Sequence, residues 1–119
     1  MRALLVDDEN SARRRLARLL DSFPDVEIVG EARDGLEALT HIDSLKPDLV
    51  FLDIRMPELD GFGVVRAIPS TMKMPLVIFA TSYDEHGLEA FEASAIAYLL
   101  KPVEVERLTA ALERARRLL

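Results

Sequence analysis

Two adjacent aspartates, Asp7 and Asp8, close one short apolar run, and Asp53 closes another. Thr81 ends a third run and Lys101-Pro102 follows a fourth. Three carboxylates that converge with no Cys or His beside them are hard oxygen ligands, a set that suits Mg2+ or a similar cation better than zinc or copper. Held together without a cation they repel one another, and a bound metal removes that cost. A lysine on the far side adds an ammonium, and a threonine adds a hydroxyl donor. A divalent cation, an ammonium and a hydroxyl around one carboxylate form a cage for the three equatorial oxygens of a phosphoryl group in transfer. In that arrangement Asp53 is the nucleophile and becomes an aspartyl phosphate.

These side chains meet only if the runs that carry them lie side by side with aligned ends. Ala3 to Val6, Val26 to Val29, Leu49 to Leu52, Leu76 to Ala80 and Ile96 to Leu100 are rich in Val, Leu and Ile with little polar alternation, as in strands buried on both faces. Stretches of helical period separate them. Ala12, Leu16, Leu19, Leu20 and Phe23 make an apolar stripe with Arg13, Arg14, Arg15 and Arg18 on the other side, an amphipathic helix whose arginines read as a solvated face. Asp34 caps a second helix, with Glu37 in its first turn and Leu36, Leu39 and Ile42 as its stripe, and Lys46-Pro47 stops it. A third helix starts near Glu58 and ends by Pro69. A fourth takes Asp84 as its cap and turns Leu88 and Phe91 inward. The last, from about Glu104, carries Val105, Leu108, Ala111, Leu112 and Ala115 on one face and arginines in its final turns, where the helix dipole favours cations.

Five strands alternating with single helices predict an α/β fold, (βα)5, with an open, doubly wound parallel sheet and helices on both faces. Five units are too few for a closed eight-stranded barrel. In such sheets ligands bind beyond the carboxyl ends of the strands, where all five polar groups fall. Taken singly, each has a plainer explanation: Asp7 or Asp8 as a helix cap, Asp53 as a turn residue before Pro57, Thr81 as a cap, Lys101 as a solvated charge. Their joint placement at four strand ends favours one site.

Composition narrows the function classes. At 119 residues the chain is long enough to bury one core, so one domain, 1–119, is expected. The absence of cysteine excludes a disulfide framework and thiol chemistry, which suits a reducing cytoplasm. No apolar stretch approaches the roughly 18 residues of a membrane helix, and no basic and apolar leader is present. A net charge of −6 speaks against a large phosphate-binding surface of the kind that holds nucleic acid, so any contact with nucleic acid is expected to come from another domain.

The stretches LLVDDE at 4 to 9, PDLVFLDIRMPELDG at 47 to 61, VIFATSYDE at 77 to 85 and YLLKP at 98 to 102 resemble the receiver domains of two-component response regulators. The resemblance covers essentially the whole chain and implies a flavodoxin-like, CheY-like fold. It implies that Asp53 accepts a phosphoryl group from a phosphohistidine on a sensor histidine kinase, with Mg2+ held by Asp8, Asp53 and the backbone carbonyl of Arg55, and Asp7 acting through water. Thr81 and Lys101 would each meet a phosphoryl oxygen, the Lys101-Pro102 peptide would be cis, and Tyr98 would be a switch aromatic that turns inward when Thr81 moves. Such a domain is a switch and not an enzyme, apart from slow gain and loss of its own phosphoryl group. The output surface, and a possible homodimer contact, would be the fourth predicted helix, the fifth strand and the last helix. Its first helix docks the kinase in this family.

The segment from Phe79 to Pro102 is similar in particular to receivers attached to LytTR-type DNA-binding domains, which implies the N-terminal part of a longer transcriptional regulator. Two positions depart from the family pattern. Ser82 stands where Ala or Gly is usual, and Ala97 where an acid commonly precedes the aromatic. Arg55 and Tyr83, each two residues past a site residue, are placed to hinder attacking water, an expectation that dephosphorylation of Tyr83→Ala would test. The chief rival is a haloacid-dehalogenase-like phosphatase, which needs a second aspartate two residues after the nucleophile; Arg55 occupies that position. A binding module that works without phosphorylation would not need the acidic set. Gly61 and Gly63 read as turn and packing positions, since no phosphate loop is present. His41 and His86 read as surface residues, and Phe23 and Phe91 as core.

Overall fold

The computed structural model of the chain describes residues 1–82 and 95–119. Strands β1 (Arg2–Val6), β2 (Glu27–Ala32), β3 (Leu49–Leu52), β4 (Leu76–Thr81) and β5 (Ala97–Leu100) alternate with helices α1 (Asn10–Leu20), α2 (Gly35–Leu45) and α3 (Gly61–Ala67), and α4 (Val105–Leu118) follows β5. All pairings are parallel and the strand order is β2-β1-β3-β4-β5. The order in which strands are added to the sheet reverses between β1 and β3, so the crevice for ligands opens beyond Val6 and Leu52. The fourth predicted helix, with Asp84, His86, Leu88 and Phe91, and also Tyr83, lies outside the described residues.

Alternate residues of each strand face opposite sides of the sheet and fill two cores. Ala3, Leu5, Leu49, Phe51, Ile78 and Leu99 pack with Leu16 and Leu20 of α1 and Leu108, Ala111, Leu112 and Ala115 of α4. Leu4, Val6, Val50, Leu52, Val77 and Phe79 pack with Ala38 and Ile42 of α2 and Val64 of α3. Two apolar sets on one strand require helices on both faces, which is why these runs show no polar alternation.

Several details differ from expectation. β2 runs on to Ala32, because Val6 and Leu5 of β1 pair with Ala32 and Glu31. Leu36 is 63% exposed and Ala38 is buried in its place, while Ile42 is buried as expected. Val105 also faces outward, and Phe23 is only half-buried at the edge of its core. α3 starts at Gly61 and not near Glu58, whose φ of 68° is left-handed; Asp60 caps the helix by accepting from the Gly63 amide at 2.8 Å. The Asp34 cap of α2 forms as expected, accepting from Glu37 N at 2.8 Å.

Candidate functional site

Backbone hydrogen bonds one residue past the strands align the polar ends. Asp7 N donates to the Ala32 carbonyl at 3.0 Å, Asp53 N to the Val6 carbonyl at 2.9 Å, and Lys101 N to the Thr81 carbonyl at 2.9 Å. Neighbouring strands lie about 4.8 Å apart, so the ladder sets Asp7 beside Asp53 and Thr81 beside Lys101. The loop that follows Asp53 is closed by Gly61 N donating to the Ile54 carbonyl at 2.8 Å. A Cβ at Gly61 would collide with the Asp53 carbonyl oxygen, so only glycine lets α3 begin this close to the acceptor.

The carboxylates of Asp7, Asp8 and Asp53 offer oxygens within 4.8 Å of one another, with Asp7 and Asp53 buried and Asp8 exposed. The Lys101 ammonium lies 2.6 Å from Asp7 Oδ2, 3.3 Å from Glu9 Oε1 and 3.5 Å from Asp53 Oδ2. Asp7 also accepts from the Glu9 amide at 2.9 Å. Burial, with the nearby charge of Asp53, holds the Asp7 carboxyl above the usual carboxylate range, and its bonds to Lys101 and Glu9 N only partly offset this. At Lys101 burial acts to lower the ammonium's value, but hydrogen bonding to Asp7 and the charges of Asp53 and Asp7 outweigh it and raise it overall.

This chemistry fits a hard divalent cation. Three carboxylates face one ammonium, and every ligand atom they offer is an oxygen. Thr81 is fully buried at the end of β4, with Ser82 exposed after it. Arg55 is exposed, two residues past Asp53. The Lys101-Pro102 peptide is cis. Tyr98 is half-buried against the core that holds Phe79, Leu52 and Val64. Ala97 opens β5 beside it, and His41 is half-buried 4.0 Å from Glu37 on α2.

Three residues join the site that sequence reasoning did not single out. Glu9 reaches Lys101, a role signalled only by its being a third consecutive acid. Arg15 donates to the Val103 carbonyl at 3.1 Å and so ties α1 to the loop after Lys101. Arg13, on the supposedly solvated face, is largely buried and donates to the Asp7 carbonyl.

The fold and site define an open, doubly wound α/β domain with an acidic centre at the switch point of its sheet. The chain belongs to the response regulator receiver domain family, whose model matches residues 3–113. Receiver domains are signalling domains that use Mg2+ at an acidic pocket and interact with histidine kinases and phosphotransfer partners. The chain is 52% identical over 118 residues to the positive alginate biosynthesis regulatory protein of Pseudomonas aeruginosa, covering 98% of this chain and 48% of that protein. It therefore spans about half the length of the curated relatives it matches. The response regulatory domain of mrkE from Klebsiella pneumoniae superposes with a TM-score of 0.84 at 36% identity, covering 98% of this chain and 96% of the other. A CheX-CheY-BeF3-Mg complex from Borrelia burgdorferi matches with a TM-score of 0.83 at 25% identity over 94% and 86% of the two chains. Among the described residues no helix is long and apolar enough to cross a membrane.

Proposed function

We propose that Asp53 is the phosphoacceptor of a two-component switch, with Mg2+ held by Asp8, Asp53 and the Arg55 carbonyl and Asp7 acting through water. The observation that carries this reading is the Lys101 ammonium reaching both Asp7 and Asp53 beside a cluster of three carboxylates. A beryllofluoride–magnesium complex of a structurally similar protein supports it. When bound, the cation offsets the charge of the carboxylates and of the incoming phosphoryl oxygens. The residues do the rest. An Asp53 oxygen attacks phosphorus in line, the N–P bond of the donor phosphohistidine breaks, and the imidazole leaves with the electron pair and takes a proton. Lys101 exchanges carboxylate partners for a phosphoryl oxygen, and the Thr81 hydroxyl donates to another. Burial of Asp53 and Thr81 limits the access of water to the acceptor.

The phosphoryl group biases a two-state equilibrium in the segment after Thr81 and at Tyr98, and a difference of a few kcal/mol is enough. We read the output as transcription control through a LytTR-type DNA-binding segment elsewhere in a longer, cytoplasmic protein; the greater length of the relatives, one of them named a transcriptional regulatory protein, supports the transcriptional part of this reading. A homodimer would use the fourth predicted helix, β5 and α4, which carry the exposed Leu100 and Val105. Mass spectrometry after incubation with acetyl phosphate and Mg2+ tests the core of the reading. One PO3 unit should be gained by the wild type and none by Asp53→Asn. Equal gain in both, or rapid hydrolysis of phosphomonoesters, would sink it.

A further inference from the structure

The arginines of α1 are not equivalent. Arg14, Arg15 and Arg18 are exposed, whereas the side chain of Arg13 is only 12% exposed. Its guanidinium uses three separate donors on three partners. Nη1 donates to the Asp7 carbonyl, Nη2 to Asn10 Oδ1 at the start of α1, and Nε to Glu31 Oε1 on β2 at 2.9 Å. The Asp7 amide is at the same time held by the Ala32 carbonyl at 3.0 Å. Residue 7 is thus gripped on both sides of its Cα, from β2 directly and from Arg13 braced on β2.

The Asp7 carbonyl belongs to the rigid peptide plane that leads into Asp8. Fixing that oxygen fixes the direction of the Asp8 amide and the starting point of its side chain. Asp8 is the exposed member of the acidic cluster, with no burial of its own to hold it in place. Among the described residues the Arg13 guanidinium bonds to the Asp7 carbonyl, Asn10 and Glu31 and to no carboxylate of that cluster, so its grip on Asp8 acts through the backbone.

We infer that Arg13, braced by Glu31, is a positioning residue of the cation site, holding the Asp7–Asp8 peptide so that the Asp8 carboxylate faces Asp53. The inference rests on the reading of this cluster as a Mg2+ site. It also makes a prediction opposite in sign to simple electrostatics. A guanidinium near three carboxylates repels a divalent cation, so on charge alone Arg13→Gln should tighten Mg2+ binding. Positioning requires that it weaken, by on the order of tenfold as for other groups that orient metal ligands. Lysine keeps the charge but cannot supply a planar fork to three partners, so Arg13→Lys should weaken binding as well.

The test is calorimetric titration of the folded domain with MgCl2, for wild type, Arg13→Gln, Arg13→Lys and Glu31→Gln, alongside the amide chemical shifts of Asp8 and Glu9 without metal. Weaker Mg2+ binding in both Arg13 variants, a smaller weakening in Glu31→Gln, and shifted Asp8 and Glu9 amides are expected. Phosphoryl uptake from acetyl phosphate should then recover at saturating Mg2+, since the acceptor is untouched. Tighter binding in Arg13→Gln, or unchanged affinity with only a lower Tm, overturns the inference. Should Arg13→Gln not fold, the lysine variant and Glu31→Gln decide on the same criterion. A wild type that binds Mg2+ but gains no phosphoryl group overturns the proposed function alone, because the role of Arg13 is read from metal affinity; a wild type that binds no Mg2+ overturns both.

Discussion

Replacing Lys101 by alanine removes the ammonium that faces Asp7 at 2.6 Å and Asp53 at 3.5 Å, and leaves two buried carboxylates beside the exposed Asp8. Breaking a buried pair by deleting one partner costs about 3–5 kcal/mol. The Lys101 side chain is 18% exposed and Glu9 beside it is largely in water, so the lower end, about 3 kcal/mol, applies. For a domain of this length about 1 kcal/mol moves Tm by roughly 4 °C, so the metal-free variant should melt about 10–12 °C below wild type. Mg2+ at a hundredfold excess over its Kd returns about 2.7 kcal/mol to a folded state that binds it. At one fixed Mg2+ concentration the variant, lacking the ammonium that competes for the carboxylates, should bind the cation more tightly than wild type. Magnesium should therefore raise its Tm more and narrow the gap, while phosphoryl uptake stays impaired because the ammonium is still missing.

The pH dependence has a definite sign. Burial raises the Asp7 carboxyl in the folded state, so the stability tied to its proton is present at acid pH and is lost as pH rises through the raised value. Lys101 limits that loss, and its own raised value means its contribution persists until alkaline pH exceeds it. The gap between wild type and Lys101→Ala should be widest near neutrality and shrink as Asp7 becomes protonated. Thermal melts by circular dichroism across pH, with and without Mg2+, read all of this. A variant with an unchanged metal-free Tm, or one that gains less from magnesium than wild type, refutes the electrostatic reasoning.

Other substitutions probe the scaffold. Lys46 ends α2 at a φ of 47°, so Lys46→Gly should raise the urea midpoint by about 1 kcal/mol of stability, since only glycine occupies that region without cost. Gly61→Ala drives a Cβ onto the Asp53 carbonyl and to 2.9 Å from Ile54 Cα, both backbone atoms; a loss of about 2 kcal/mol or more, with slower phosphoryl uptake, should follow in paired melting and mass-spectrometric assays. The Arg116 pair with Asp25 is short, 2.6 Å, but exposed, so Arg116→Ala should change Tm by no more than about 1 kcal/mol allows, and any effect should vanish in high salt.

The strands were legible because both faces of this sheet are covered, which leaves Leu49 to Leu52 and Leu76 to Ala80 without polar alternation. The Asp34 cap was legible because capping is local chemistry between residues three apart. The start of α3 was not, since a left-handed Glu58 and a cap at Asp60 shorten a pattern that looked continuous. Leu36 misled for a related reason: periodicity marks an apolar residue as inward-facing, but the small Ala38 lets α2 approach the sheet with Leu36 outside.

By itself the order of residues determined which groups could do chemistry, because Asp7, Asp8, Asp53, Thr81 and Lys101 each stand at the end of a run whose composition marks it as a buried strand. It determined their common edge as well, since parallel strands carry their C-terminal ends to one side. What only the folded chain decided is who touches whom: Lys101 against Asp7 more closely than Asp53, Glu9 drawn in beside it, and Arg13 taken from a polar helix face to grip a carbonyl. Those partners are separated by up to 94 residues in sequence, between Asp7 and Lys101, or lie on a face whose composition reads as solvated. Such contacts depend on sheet register and helix approach, which local periodicity does not encode.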